Sequence, residues 1–411
     1  MKNSFKPVRV LLVLALVSVV SVCASAASIS ARSARLHSKS SHRATIRSTE
    51  TAHASKRPSQ SQHRARLVRA SVRTSAHRRF NEHFATSSFA EDQTFGDVAA
   101  GEDPIVRRAA IDALGNMNGT VVAIDPASGR ILAMVNQKLA LSAGAIPCST
   151  IKVPVALAAL SENLITKDTT VMLSKYSGMT LTQALAHSNN AYFETVGRRL
   201  GFEKYSYYAH QFGLGELAGW DIAGEHLGTF PNTPLQEKLG GVGKMCSFGE
   251  SISMTPLQLG ALLSAMANGG TLYYLQHPAS PEEVVSFQPR VKRHLDIGPL
   301  VPQIADGMAG AVQYGTARSL RLSFSDEPVL GKTGTCSNDA GTRYGWFGSF
   351  ANTEFGRIVV VVFLEGGRPT FGPKAAELAG HFYRNLEDHN FFASQPSLQP
   401  ASTAGMDSSF R

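Results

Sequence analysis

The sequence predicts an α+β domain: one five-stranded antiparallel sheet flanked by terminal helices, with a helical insertion between strands 2 and 3. Three observations predict it. Two β-rich runs, 119–124 and 130–135, enclose the turn Asp125-Pro126-Ala127-Ser128-Gly129 and read as a hairpin. Three more strand-like runs, 328–335, 344–350 and 357–364, crowd toward the C-terminus. The long stretch from about 149 to 320 carries mostly helical patterning with loops, including 149–160, 180–200 and 256–267. Helices at 104–114, after Asp103 and before Gly115, and at 374–386 would cover one face of the sheet. The insertion would sit against the other face, and a cleft between sheet and insertion is the natural place for chemistry.

The chain has 411 residues, 43% of them hydrophobic, and a net charge of +9. Its charge is unevenly placed. Residues 28–80 hold thirteen Lys or Arg against the single acid Glu50, and Lys2, Lys6 and Arg9 add three positives, which leaves residues 81–411 at about −6. The high basic balance therefore belongs to the N-terminal region, and no nucleic-acid partner is expected. Lys2, Lys6 and Arg9 precede an apolar run, 10–22, and then Ala24-Ser25-Ala26, the pattern of an export signal. Residues 1–27 are read as a cleaved signal peptide or as a membrane anchor, since the apolar stretch extends to about 18 residues, the lower limit for a spanning helix. Cys23 invites a lipoprotein reading that Val22 fits poorly. Export makes the protein periplasmic or otherwise extracytoplasmic, held at the inner membrane if the segment stays.

Residues 28–100 are rich in Ser, Arg, Ala and His with few large apolar side chains, which predicts a disordered basic linker. Its reach is on the order of 50 Å. A solvated spacer is the plain reading; contact of its arginines with anionic lipid or wall polymers is the sharper one. The catalytic domain is placed at 101–390, and 391–411 reads as a disordered tail. Cys148, Cys246 and Cys336 are read as small buried thiols, with a bridge between two of them as the alternative. There is no CxxC and no Cys/His ligand spacing, so no metal and no cofactor are expected. The scattered tail histidines, such as His37, His42, His53 and His63, read as solvated, and Trp346 as core or cleft wall.

Three short strings carry the chemistry. Ser149-Thr150-Ile151-Lys152 opens a helix, so a hydroxyl and an amine three residues apart share a face. A serine hydroxyl is a weak nucleophile until a base takes its proton, and a lysine serves only if its pKa falls well below ~10.4. A nearby second cation is expected to cause that fall. Ser188-Asn189-Asn190 follows the helical run 181–187 in a loop, where Ser188 relays a proton and Asn190 holds a substrate amide. Lys332-Thr333-Gly334-Thr335 ends a strand; Lys332 supplies the second charge and anchors a carboxylate, and Gly334 leaves room for a substrate backbone. The backbone N–H groups of Ser149 and Thr335 are the candidate oxyanion donors.

These three motifs, in this order and context, resemble those of the penicillin-binding transpeptidase family. The resemblance continues through 119–135, Arg199-Leu200-Gly201-Phe202, Phe212-Gly213-Leu214-Gly215, 253–259, Ala267-Asn268-Gly269-Gly270, Gly315-Thr316-Ala317 and Gly345-Trp346-Phe347, and covers about 103–388. It implies Ser149 as the acylated serine, Lys152 as general base, Ser188 and Asn190 as the second motif, and Lys332 with Thr333, Gly334 and Thr335 as the carboxylate-binding strand. It also implies D-Ala-D-Ala peptidoglycan stem peptides as substrates and β-lactams as covalent inhibitors. A D,D-transpeptidase is the leading expectation. A D,D-carboxypeptidase, a class D-like β-lactamase, which the string 149–154 also resembles, and a non-catalytic β-lactam or wall-fragment sensor are the alternatives. Only about thirteen residues separate Val135 from Ser149, fewer than monofunctional transpeptidases usually carry.

Overall fold

The structure, a computed structural model, describes residues 86–325, 328–353 and 356–392. The expected signal or anchor (1–27), most of the linker (28–85) and the tail from 393 onward lie outside the described residues. Among the described residues no helix is long and apolar enough to cross a membrane.

The five expected strands form one antiparallel sheet: β1 (Gly119–Asp125), β2 (Arg130–Val135), β3 (Val329–Ser337), β4 (Arg343–Thr353) and β5 (Gly356–Gly366), in the order β2-β1-β5-β4-β3. The β1–β2 turn closes as its residues dictate. The Asp125 carboxylate accepts from the Ala127 amide at 2.9 Å, and Gly129 takes the left-handed φ of +76° that ends the turn. Strand β3 forms one edge of the sheet.

Alternation assigns every second residue to one face. Val359, Val361 and Phe363 of β5 join Val122, Ile124 and Trp346 in the core under the insertion. Ile358, Val360, Val362 and Leu364 join Val121, Ala123 and Phe347 in the core under the terminal helices. Those helices are α1 (Pro104–Leu114), capped by Asp103 accepting from Ile105 and Val106 amides, and α8 (Gly372–Asp388). The insertion supplies α2 (Lys152–Ser161), α3 (Leu181–Ala186), α4 (Asn190–Leu200), α5 (Gly241–Phe248), α6 (Pro256–Ala267) and α7 (Val301–Gln313), with two short two-stranded ribbons. Helix α6 is buried along its whole length and starts with a capping box between Thr255 and Gln258.

Two expected boundaries are corrected. Residues 86–100, assigned above to the linker, pack on the domain. Ser88 Oγ accepts from the Gly367 amide at 2.6 Å, and the Asp97 carboxylate accepts from the Asn136 and Gln137 amides at 3.1 and 2.8 Å while pairing with Arg107. The composition argument failed because it averaged over the whole segment. Acids and large apolar residues reappear from Phe80 and Glu82 onward, and a paired acid with its amides satisfied is what a folded edge requires. At the other end Phe391 and Phe392, assigned to the tail, are buried against the terminal-helix core.

Candidate active site

The chain enters α2 through a 3-10 turn, Cys148–Ile151, so Ser149 lies on a tighter spiral than the plain helix expected. In a 3-10 turn side chains three apart eclipse, which aligns Ser149 with Lys152. Lys152 Nζ stands 2.9 Å from Ser149 Oγ. Lys152 has no exposed surface and heads a helix whose next eight residues are all buried.

The second motif comes to the same amine. Helix α3 ends at His187, Ser188 turns into the left-handed region at φ +56°, and Asn189 caps α4 by accepting from the Tyr192 amide at 2.9 Å. That kink aims both neighbours of Asn189 inward. Lys152 Nζ contacts the Ser188 carbonyl at 2.7 Å, Ser188 Oγ at 3.1 Å and Asn190 Oδ1 at 2.6 Å. The Ser188 carbonyl and Asn190 Oδ1 can only accept. They occupy the two N–H bonds of a neutral amine and leave its lone pair for a hydroxyl proton.

Strand β3 completes the cluster. Lys332, 1% exposed, places Nζ 2.8 Å from Ser188 Oγ and 3.0 Å from the Thr333 carbonyl. The five residues Ser149, Lys152, Ser188, Asn190 and Lys332, far apart in the chain, thus form one hydrogen-bonded group. Burial lowers the Lys152 amine to about 7, with Glu194 pulling the other way. Lys332 is pushed well down, first by burial and then by the charge of Lys152. The expected cause is therefore corrected. Desolvation, more than a second cation, depresses Lys152, and the repulsion between the amines falls on Lys332.

The rest of the third motif is arranged differently from expectation. Thr333 and Thr335 point, by alternation, to the side of Phe347 and the terminal helices. Thr333 Oγ1 lies 2.6 Å from Thr316 Oγ1, and Thr335 Oγ1 accepts from the Gly372 amide at 2.8 Å. Thr335 itself is exposed at the strand edge. On the face of the sheet the space at Gly334 is taken by protein: a Cβ there would meet the Pro147 carbonyl oxygen at 2.9 Å and Cys148 Cβ at 3.3 Å. Its glycine lets the serine-bearing turn approach the sheet.

Four features were missed. Cys148 and Cys336 are joined by a disulfide, against the reading as buried thiols, which holds for Cys246 alone among the described residues. Trp346, read as core or cleft wall, is fully buried core, and what that reading lacked is its bond from Nε1 to the Ile146 carbonyl at 3.1 Å. Thr316 reaches Thr333 because Gly315 fits against the Ala186 carbonyl, where a Cβ would come within 2.1 Å. Glu194, one turn after Asn190 on α4, is the acid whose field reaches Lys152. The strings around 315 and 345 were visible; the partners they meet were not.

Comparison with known proteins bears on the family and the fold. The family model described as the penicillin binding protein transpeptidase domain matches residues 119–384. The chain is 31% identical over 222 residues to stage V sporulation protein D of Bacillus subtilis, covering 50% of this chain and 34% of that protein. It is 24% identical over 384 residues to peptidoglycan D,D-transpeptidase MrdA of Acinetobacter baumannii, covering 75% and 56%. It is also 24% identical over 372 residues to peptidoglycan D,D-transpeptidase PbpA of Mycobacterium tuberculosis, covering 74% of each. The chain thus spans about a third to just over a half of the first two relatives. Among solved structures, the transpeptidase domain of Burkholderia pseudomallei penicillin-binding protein 3 aligns with TM-score 0.59 at 19% identity, over 73% of this chain and 98% of that one. Pseudomonas aeruginosa PBP2, in complex with WCK 5153, aligns with TM-score 0.56 at 23% identity, over 70% and 74%. At these identities the likeness is one of fold.

Proposed function

This chain belongs to the penicillin-binding protein transpeptidase family, and from that premise we propose that it is an exported D,D-transpeptidase that forms an acyl-enzyme on Ser149 with D-Ala-D-Ala stem peptides, and with β-lactams as dead-end substrates. The carrying observation is that Lys152 Nζ touches Ser149 Oγ, Ser188 Oγ and Asn190 Oδ1 together, while Lys332 touches the same Ser188 Oγ.

Neutral Lys152 takes the Ser149 proton as Oγ bonds to the carbonyl carbon of the penultimate D-Ala. Negative charge develops on the carbonyl oxygen, for which the Ser149 and Thr335 N–H groups are the donors. The tetrahedral adduct collapses, the C–N bond breaks, and the departing D-Ala amine receives a proton from Lys152 through Ser188. An amine of a second stem peptide then attacks the ester and releases Ser149. The two buried amines share one site that disfavours two positive charges. A substrate carboxylate at Lys332 stabilises a proton there and so keeps Lys152 neutral, which couples substrate binding to base strength. A carboxypeptidase or a β-lactamase would share the first half and use water in the second.

Exposure to a penicillin followed by intact-mass spectrometry tests the reading. A mass increase equal to one whole penicillin is expected on the wild type and none on folded Ser149→Ala. Its persistence for hours supports a transpeptidase, and rapid return to the free mass would make the protein a β-lactamase. The export pattern at 1–27 supports an extracytoplasmic location, with the 28–85 segment as the spacer that carries the domain to the wall.

A further inference from the structure

We infer that the Cys148–Cys336 disulfide positions the oxyanion donors: it holds the serine-bearing turn against strand β3 at the separation acylation requires, so that the oxidised protein is the active form. The inference rests on the acyl-enzyme reading above.

Each cysteine is the chain neighbour of one candidate donor. Cys148 precedes Ser149 and Cys336 follows Thr335, so the bond links the two N–H groups through one residue on either side. The turn before Ser149 meets the β3–β4 pair at three places: Trp346 Nε1 donates to the Ile146 carbonyl, the Pro147 carbonyl fills the space over Gly334, and Cys148 is joined to Cys336. Only the last is covalent, and it is the one made by the residue next to Ser149 in the chain. Cys148 adopts φ +50°, a left-handed conformation costly for a side-chain-bearing residue and kept only where its surroundings enforce it. The bond is one such constraint.

Its location argues against a general fold staple. The insertion and the sheet already share a continuous buried core that includes Ile124, Leu157, Leu259, Trp346 and Phe363. Cys148 belongs to that core and Cys336 packs at its margin, half-buried beside exposed Thr335, so the bond is one of many contacts holding insertion to sheet but the one that adjoins both donors. Two donors that must converge on one oxygen tolerate little relative movement; a misplacement of about 1 Å costs on the order of 10²-fold. The reaction that would undo the clamp is thiol–disulfide exchange. A dithiol gives two electrons and two protons, leaving Cys148 and Cys336 as thiols and itself as a cyclic disulfide. Such reduction is suppressed in the oxidising compartment that the export pattern points to.

The test uses the full chain in three forms: oxidised, reduced with dithiothreitol, and the double variant Cys148→Ser/Cys336→Ser. The double variant separates this bond from effects of the reagent on Cys23 or Cys246. Stopped-flow labelling with a fluorescent penicillin resolves the noncovalent dissociation constant from the acylation rate constant, and a melting curve accompanies each form. The expected result is acylation slower by about 10-fold to 10²-fold in both altered forms. The dissociation constant should change by less than about threefold, with the protein folded at the assay temperature and the rate regained on reoxidation. Equal acylation in all three forms overturns the inference, as does a loss confined to the dissociation constant. Unfolding of both altered forms also overturns it, since the bond would then be a staple; if only the variant unfolds, the reduced wild type decides. Failure of the oxidised wild type to label at all removes the acyl-enzyme reading itself, and this inference with it.

Discussion

The two faces of the sheet are built from alternate residues of the same strands, yet they are made by opposite rules. Under the terminal helices, Ala109, Ala113, Val360, Val362, Ala375, Ala379 and Phe382 pack without a buried amine. A buried polar pair there is satisfied within the core, Tyr383 Oη with Ser349 Oγ at 3.0 Å. Under the insertion the same strands border two fully buried lysines, and left-handed Cys148 and Ser188 lie beside them. Buried amines and left-handed residues each cost stability, and they are concentrated on one side. The insertion side bears those costs beside an extensive apolar core of its own.

The largest effect expected from that contrast is at Lys152. Lys152→Met should slow acylation by about 10²- to 10⁴-fold, with little change in reversible penicillin binding, yet raise the melting temperature at pH 7. Folding lowers this amine from 10.5 to about 7, so the unfolded chain binds the proton more tightly. The stability cost is complete below pH 7 and is relieved as pH climbs toward 10.5. At ~1.4 kcal/mol per pK unit it reaches a few kcal/mol. The melting advantage of Lys152→Met should therefore shrink as pH rises through this window, while wild-type acylation rises with pH through about 7 and levels off. An advantage independent of pH would break the assignment of the cost to Lys152.

The opposite face should answer in the opposite way. Phe382→Ala, deep in the terminal-helix core, should lose ~3–5 kcal/mol by denaturant unfolding, while the rate constant for acylation of the folded molecules stays as in the wild type. A matching loss in that rate constant would mean that the faces are not separable. The smallest effect belongs to a residue of the insertion side that ties the sheet to the serine-bearing turn. Trp346→Phe keeps a ring in the core and removes the Nε1 bond to Ile146. It should cost about 1 kcal/mol in stability and slow acylation a few-fold, as single-turnover labelling would show.

Much of the architecture was legible because it follows from local periodicity. The run from Val359 to Phe363 is apolar at every position, as a strand covered on both faces must be, and it emerged as a central strand. The serine, the lysines and the second motif were legible only as a set: each string is made of common residues, and their order, spacing and structural context together made them specific. Relations between distant segments were not. Cys148 and Cys336 are 188 residues apart; their places beside the first and third motifs made a bridge an alternative, but local pattern could not show that their Cα atoms come within 5.6 Å. Gly334 announced a close approach, but not whether ligand or protein would fill it. The fall in the Lys152 pKa was foreseen, but its leading cause required knowing that α2 is buried from Lys152 to Leu160.

Strand β1 finds its central neighbour in β5, pairing Gly119 with Leu364 through to Ile124 with Val359. The order of synthesis therefore matters. While the ribosome is still making the insertion, β1 and β2 form a hairpin with a bare hydrogen-bonding edge, the kind that invites misassociation. The contact that covers it is among the most distant in the chain, and such contacts form late. A product that stops before residue 356 carries Ser149, Lys152, Ser188, Asn190 and Lys332 and still lacks the middle of the sheet beneath them. Possession of the reactive residues precedes possession of the enzyme.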